Sequence, residues 1–231
     1  MRTIGLLGGM SWESSALYYR RANELVRDRL GGLHSARCVL YSVDFAGIAA
    51  MQRAGSWDDA AAELATAAKS LEVAGADFVL LCTNTMHKVA DQVQASLTVP
   101  LIHLADTTAD AVVAVGITRV GLLGTGFTME QHYYRDRLAT HGLDVIVPGP
   151  EDRATVHRVI YDELCLGIVR DDSRAAYRAV IQRLVDEGCE GIILGCTEIE
   201  LLVTSEDSRV PVFPTTELHV AAAVDLALAG D

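Results

Sequence analysis

The feature that most constrains this chain is that it is written twice. Gly75-Ala-Asp-Phe-Val-Leu-Leu-Cys-Thr-Asn-Thr-Met-His87 and Gly188-Cys-Glu-Gly-Ile-Ile-Leu-Gly-Cys-Thr-Glu-Ile-Glu200 align without a gap. Each has a glycine, a small and an acidic residue, an apolar run and then small polar residues. In this register Thr83 faces Cys196, and Cys82 faces Gly195. Ile4-Gly-Leu-Leu-Gly8 repeats as Val120-Gly-Leu-Leu-Gly124, and Val99-Pro100 as Val210-Pro211. Such an internal repeat implies two related halves, each ending its strands in a polar cluster.

The punctuation between repeats supplies the rest. Short apolar runs at Thr3–Leu7, Val39–Val43, Phe78–Leu81 and Val99–His103 read as strands. In the second half the corresponding runs are Val120–Leu123, Asp144–Val147, Ile192–Leu194 and Val210–Phe213. Helical stripes lie between them, among them Ser11 to Leu30, Asp58 to Ala74, Asn84 to Ser96, Met129 to Thr140, Ala154 to Cys165, Ser173 to Glu187 and Glu217 to Ala229. Strands alternating with helices give right-handed βαβ units, hence an α/β fold with a parallel sheet in each half. Ligands of such sheets sit beyond the carboxyl ends of the strands, where all the polar clusters fall.

Composition narrows the function classes. The chain has 231 residues and a net charge of -12, which argues against nucleic acid or an anionic membrane as a partner, since both require a basic face. Five cysteines without a CxxC pair give neither a disulfide framework nor a zinc site, and point to a reducing cytoplasm. No run reaches the roughly 18 apolar residues of a membrane span. The only lysines are Lys69 and Lys88, so a Schiff-base cofactor has few anchors. His103, His157 and His219 have no ligand spacing, and no metal is expected.

Cys196-Thr197-Glu198 lies where a strand ends and a helix starts. Unpaired amides and a helix dipole there are expected to lower the thiol pKa below its usual ~8.5. A single cysteine is more often inert and buried, and Thr83-Asn84-Thr85 taken alone reads as N-capping. The duplication favours the functional reading, because two matched polar strand ends serve one cleft better than two cores. Gly5-Leu-Leu-Gly-Gly9 and Gly121-Leu-Leu-Gly-Thr-Gly126 follow first strands without completing a dinucleotide fingerprint. Cys38, Cys165 and Cys189 read as structural, and His87 as packing in its helix.

Gly5-Leu-Leu-Gly-Gly-Met-Ser11, Cys82-Thr-Asn-Thr-Met-His87, Gly121-Leu-Leu-Gly-Thr125 and Gly195-Cys-Thr-Glu198 together resemble the cofactor-independent aspartate/glutamate racemases. The resemblance covers nearly the whole chain. It implies two pseudo-symmetric domains with the active site in a cleft between them, the last helix returning to the first domain, and a homodimer. The domains are expected at 1–98 plus 210–231 and at 99–209. It also implies that one thiolate removes the Cα proton of an amino acid while a group on the opposite face returns one, without pyridoxal phosphate.

This sequence departs from that pattern. Its N-terminal motif has Thr83 where most of the family has cysteine, with Cys82 one step earlier. Thr83 and Cys196 are therefore the expected catalytic pair, with Cys82 as an alternative to Thr83. Adjacent strand residues point to opposite faces, which turns Cys82 away from a site facing Thr83. This Thr/Cys arrangement resembles a branch acting on L-aspartate and L-glutamate or on a wider range of amino acids. By resemblance, Met10, Ser11, Gln52, Asn84, Thr85, Thr125, Thr128, Thr197 and Glu198 hold the substrate. The arginine and lysine that bind an acidic side chain in aspartate racemases fall near Ile48 and Cys165, so relaxed side-chain specificity is expected unless Arg53, Lys88 or Arg170 substitutes. A related cysteine-dependent isomerase or decarboxylase is the alternative, as is an amino-acid-binding protein with impaired catalysis.

Overall fold

The computed structural model describes residues 1–229 and divides into two compact units, Met1–Leu104 with the chain from His219 on, and Ala105–Leu218. In the first unit, β1 (Ile4–Gly8), β2 (Cys38–Ser42), β3 (Phe78–Leu81) and β4 (Leu101–Ile102) form a parallel sheet ordered β2-β1-β3-β4. β1 and β3 are buried along their whole length, as central strands covered on both faces must be.

Strand alternation sorts their side chains. Ile4, Leu6, Phe78, Leu80 and Cys82 pack with α1 (Trp12–Leu30) and α11 (Thr215–Leu228), through Tyr18, Ala22, Val26, Val220, Ala223 and Val224. Leu7, Val79 and Leu81 face the opposite way, onto α2 (Phe45–Ala54), α3 (Trp57–Val73) and the 3₁₀ turn Thr85–Val89, which runs into α4 (Ala90–Ala95). α1 starts at the Ser11 cap and stops at Gly31, whose N–H bonds the Arg27 carbonyl; its buried Ser15, Tyr18, Ala22 and Val26 recur at helical spacing.

The second unit repeats this plan. β5 (Arg119–Gly124), β6 (Asp144–Ile146), β7 (Gly191–Gly195) and β8 (Val212–Pro214) form a parallel sheet ordered β6-β5-β7-β8. Leu123, Ile192 and Leu194 pack on α8 (Pro150–Asp162) and α9 (Asp171–Asp186), through Val156, Val159, Ile160, Tyr177 and Ile181. α6 (Gly126–Glu130) and α7 (His132–Thr140) follow β5, and α10 (Ile199–Leu202) follows β7.

β4 pairs with β3 and β8 with β7, so each stays with its own half. The division falls after Leu104 and after Leu218, later than the expected 98/99 and 209/210. The segment after β4, to which the sequence analysis assigns no element, is helical. It is helix α5, Leu104–Ala114, with Leu104, Ala105, Ala109 and Val112 buried at helical spacing. From His219 onward the last helix belongs to the first unit, as the resemblance implies. Among the described residues no helix is long and apolar enough to cross a membrane.

Candidate active site

Within the first unit, the register Leu7↔Leu81 brings the ends of β1 and β3 side by side. Met10 and Ser11 therefore emerge beside Thr83, Asn84 and Thr85. The Ser14 hydroxyl donates to the Cys82 carbonyl at 3.2 Å and ties α1 to that strand end. Ser11 accepts the Ser14 N–H at 3.3 Å as the cap of α1. Gly9 is held at φ 94°, where an added Cβ would lie 2.2 Å from the Val43 carbonyl oxygen, so the turn after β1 admits only glycine. Gln52 is buried and donates to the Met86 sulfur at 3.0 Å, fixing α2 against the 3₁₀ turn.

Thr83 and Cys82 have opposite fates. Cys82 is fully buried among Leu80, Tyr18 and Val224, and this burial drives its thiol pKa upward. Thr83 continues the Val79–Leu81 face and retains 8% exposure. Its carbonyl receives a hydrogen bond at 2.7 Å from Nδ1 of His87, whose Nε2 accepts the Leu104 N–H at 3.1 Å. An accepting Nε2 carries no proton, so His87 is the neutral Nδ1–H tautomer.

In the second unit the register Gly124↔Gly195 sets Thr125 beside Cys196. A Cβ on Gly195 would lie 2.9 Å from the Leu123 carbonyl oxygen, which leaves the cysteine to the next position. Thr125 caps α6 by accepting the Thr128 N–H at 3.3 Å. Thr128 is fully buried, with its hydroxyl 3.4 Å from that of Tyr133. Thr197 receives a hydrogen bond from the Thr216 hydroxyl at 3.2 Å.

The Cys196 thiol donates to Oε2 of Glu198 at 2.9 Å. The expectation of a lowered thiol pKa is overturned. Burial is the largest cause holding this pKa well above its ordinary value, and the Glu198 charge adds to it. A bond from the Glu198 backbone N–H lowers it by less, and α10 has only four residues with which to build a dipole. At rest Cys196 is therefore a neutral thiol with a carboxylate waiting on its proton.

Ile48 and Cys165, near which the charged side-chain contacts of aspartate racemases are expected by resemblance, stand in apolar surroundings. Ile48 is fully buried in the core of the first unit, and Cys165 packs against that of the second. Lys88 lies 3.8 Å over the Trp57 ring, while Arg53 and Arg170 are exposed. Sequence reasoning gave Thr216 and Glu200 no role, read Ser14 only as part of the helix start behind Ser11, and took His87 for packing. Glu200 accepts the Thr216 N–H at 3.0 Å, and burial raises its pKa to about 7. Its alignment with His87 was the available signal.

Comparison with known proteins follows the same lines. A crystal structure from Yersinia pestis, provisionally assigned as an Asp/Glu racemase, is 55% identical with a TM-score of 0.93, covering 99% of this chain and 100% of that one. An aspartate racemase homologue from Pyrococcus horikoshii OT3 is 34% identical with a TM-score of 0.87, over 98% of this chain and 99% of that one. The broad specificity amino-acid racemase RacX of Bacillus subtilis (strain 168) is 23% identical over 98% of each chain. The family model for Asp/Glu/hydantoin racemases matches residues 7–223, so the repeated strand ends and their polar clusters are those of a member of the Asp/Glu/hydantoin racemase family.

Proposed function

We propose that this chain is a cofactor-independent amino-acid racemase in which Cys196 and Thr83 exchange the Cα proton of the substrate. The observation that carries the reading is the Cys196 thiol hydrogen-bonded to Glu198 at a strand end. Glu198 accepts the thiol proton as the thiolate takes the Cα hydrogen, and reprotonation of the carbanion by the thiol runs the same path backwards. Asn84, Thr85 and Thr197 supply hydroxyl and amide groups for the zwitterion, with Met10, Ser11, Gln52 and Thr125 as further substrate-binding residues. Thr128, whose hydroxyl is buried toward Tyr133, supports Thr125 from inside.

The threonine half sets the pace. A hydroxyl is a far weaker base than a thiolate, and His87 cannot assist it because both ring nitrogens are engaged elsewhere. Enantiomers have equal free energies, so kcat/KM is equal in the two directions and the asymmetry appears in kcat and KM separately. Side-chain specificity is relaxed, because Ile48 and Cys165 offer no charge to an acidic substrate. The RacX relative, named for broad specificity, accords with this.

The protein acts in the cytoplasm, where its five free thiols stay reduced. It acts as a homodimer, whose contact would cover the exposed Trp12, Tyr19, Leu40 and Tyr41 of the first unit. Proton NMR with a panel of L- and D-amino acids in D2O, paired with chiral chromatography, tests the activity. Inversion with Cα exchange is expected, and Cys196→Ala abolishes it. Undiminished exchange in that variant overturns the reading; exchange that never inverts would mean chemistry from one side only.

A further inference from the structure

The two halves match beyond the proton-transferring positions. Aligning Thr83 with Cys196 also aligns Met86 with Ile199, and His87 with Glu200. Met86 and Ile199 are both fully buried and apolar. His87 and Glu200 share no chemistry except that both are polar, and both are turned inward. Their backbones begin the same turn: the His87 N–H bonds the Asn84 carbonyl at 3.1 Å, and the Glu200 N–H bonds the Thr197 carbonyl at 3.2 Å.

What their side chains bind is also equivalent. In the first unit His87 Nε2 accepts the N–H of Leu104, the first residue of α5, which follows β4. In the second unit Glu200 Oε1 accepts the N–H of Thr216, the second residue of α11, which follows β8. The first amides of a helix have no partner within it, so each side chain caps, from outside, the helix that follows the last strand of its sheet. Each then reaches the proton-transferring strand end. His87 does so directly, through its bond to the Thr83 carbonyl. Glu200 does so through Thr216, whose hydroxyl donates to Thr197 beside Cys196.

Burying a polar side chain costs free energy unless its bonds are made, and an apolar residue would fill either place at lower cost. Different side chains making the same connection in both halves indicate a constraint on the connection itself. We infer that His87 and Glu200 are equivalent positioning residues, each locking one proton-transferring strand end to the N-terminus of the helix beyond the next strand. Neither touches the reacting atoms. This assignment rests on the racemase reading of the preceding section.

Deuterium exchange at Cα, started separately from each enantiomer, tests it. His87→Phe keeps a ring without hydrogen bonds, and His87→Asn keeps a donor near the Nδ1 place. Glu200→Leu removes the acceptor, and Glu200→Gln keeps it. His87→Phe is expected to slow exchange from one enantiomer by about tenfold or more while exchange with retention from the other stays within about twofold, the penalty typical of a misplaced reacting group. Glu200→Leu produces the mirror-image pattern, and Asn and Gln at the respective positions restore most of the loss. General destabilisation would slow both enantiomers together, and thermal unfolding of each variant reports it independently.

Equal slowing of both enantiomers, or no slowing, overturns the assignment while leaving the racemase reading intact. Absence of exchange with every amino acid in the unaltered protein overturns the racemase reading, and this assignment with it.

Discussion

Replacing Glu198 by glutamine isolates the interaction on which the cysteine half depends. The Cys196 thiol lies 2.9 Å from Oε2 of Glu198, so ionising it places two like charges almost in contact. At an effective dielectric of about 20, unit charges at that separation repel by roughly 6 kcal/mol. The carboxylate charge is spread over two oxygens and the glutamine amide still offers a dipole, so the realised effect is a lowering of the thiol pKa by less than that figure. Burial, the larger cause of the raised pKa, remains. The thiol of Glu198→Gln is thus expected to titrate lower than in the native protein but still above an ordinary cysteine.

The assay is thiolate absorbance or alkylation rate against pH, taken as the difference between each protein and its Cys196→Ser counterpart, which cancels the other four cysteines. Turnover should move oppositely at neutral pH, falling by about 10²-fold or more because no acceptor receives the thiol proton. An unchanged or higher thiol pKa in Glu198→Gln would refute the argument, since it would mean that the carboxylate neither repels the thiolate nor shares its proton. A lowered pKa with unchanged turnover would refute the acceptor role alone.

Two further outcomes follow from burial. Cys82→Ala removes a sulfur from the core between β3 and helices α1 and α11; it should cost about 1 kcal/mol in urea unfolding and leave racemisation essentially unchanged, so a large loss of activity would make Cys82 a participant. His219 is fully buried, with Nδ1 2.9 Å from the Tyr18 hydroxyl and Nε2 2.9 Å from the Ile102 carbonyl oxygen, and burial lowers its pKa from 6.5 to about 4. The unfolded chain therefore binds this proton first, and stability falls as pH drops below the unfolded value. The loss at pH 5 relative to pH 8 should be about 2 kcal/mol, and should vanish in His219→Asn measured against its own baseline.

Much of this was legible in the sequence, for a physical reason. Central parallel strands are buried on both faces, so Ile4–Gly8, Phe78–Leu81 and Gly191–Gly195 stand out as apolar runs. Period-two alternation favours Thr83 over Cys82 from the sequence, while leaving Cys82 as the alternative, and the structure buries Cys82 in the core. Helix α5 was not legible because its first residues follow β4 directly and have the composition of a loop, Ala105-Asp-Thr-Thr108. The Cys196 pKa was misjudged because strand-end amides are a local feature, whereas desolvation comes from α8, α9 and the Ile199 region packing around the thiol. Burial of that kind is set by residues far along the chain.

The duplication explains why the two halves can differ so sharply in chemistry without differing in frame. In both, the proposed proton-transferring position is the first residue or two beyond a buried central strand and keeps the parity of Val79 and Leu81, which face α2 and α3, for Thr83 and of Ile192 and Leu194, which face α8 and α9, for Cys196. The frame therefore fixes where a proton donor or acceptor stands, while the residue there and its neighbours fix how strong it is. On one side burial and Glu198 make a protonated thiol with a ready acceptor; on the other a hydroxyl stands on a backbone locked by a neutral imidazole. Because kcat/KM must match for the two enantiomers, such unequal halves cannot make the enzyme one-directional. They can only decide which enantiomer accumulates on the enzyme, and in the proposed scheme the proton transfer at Thr83 is the step that decides it.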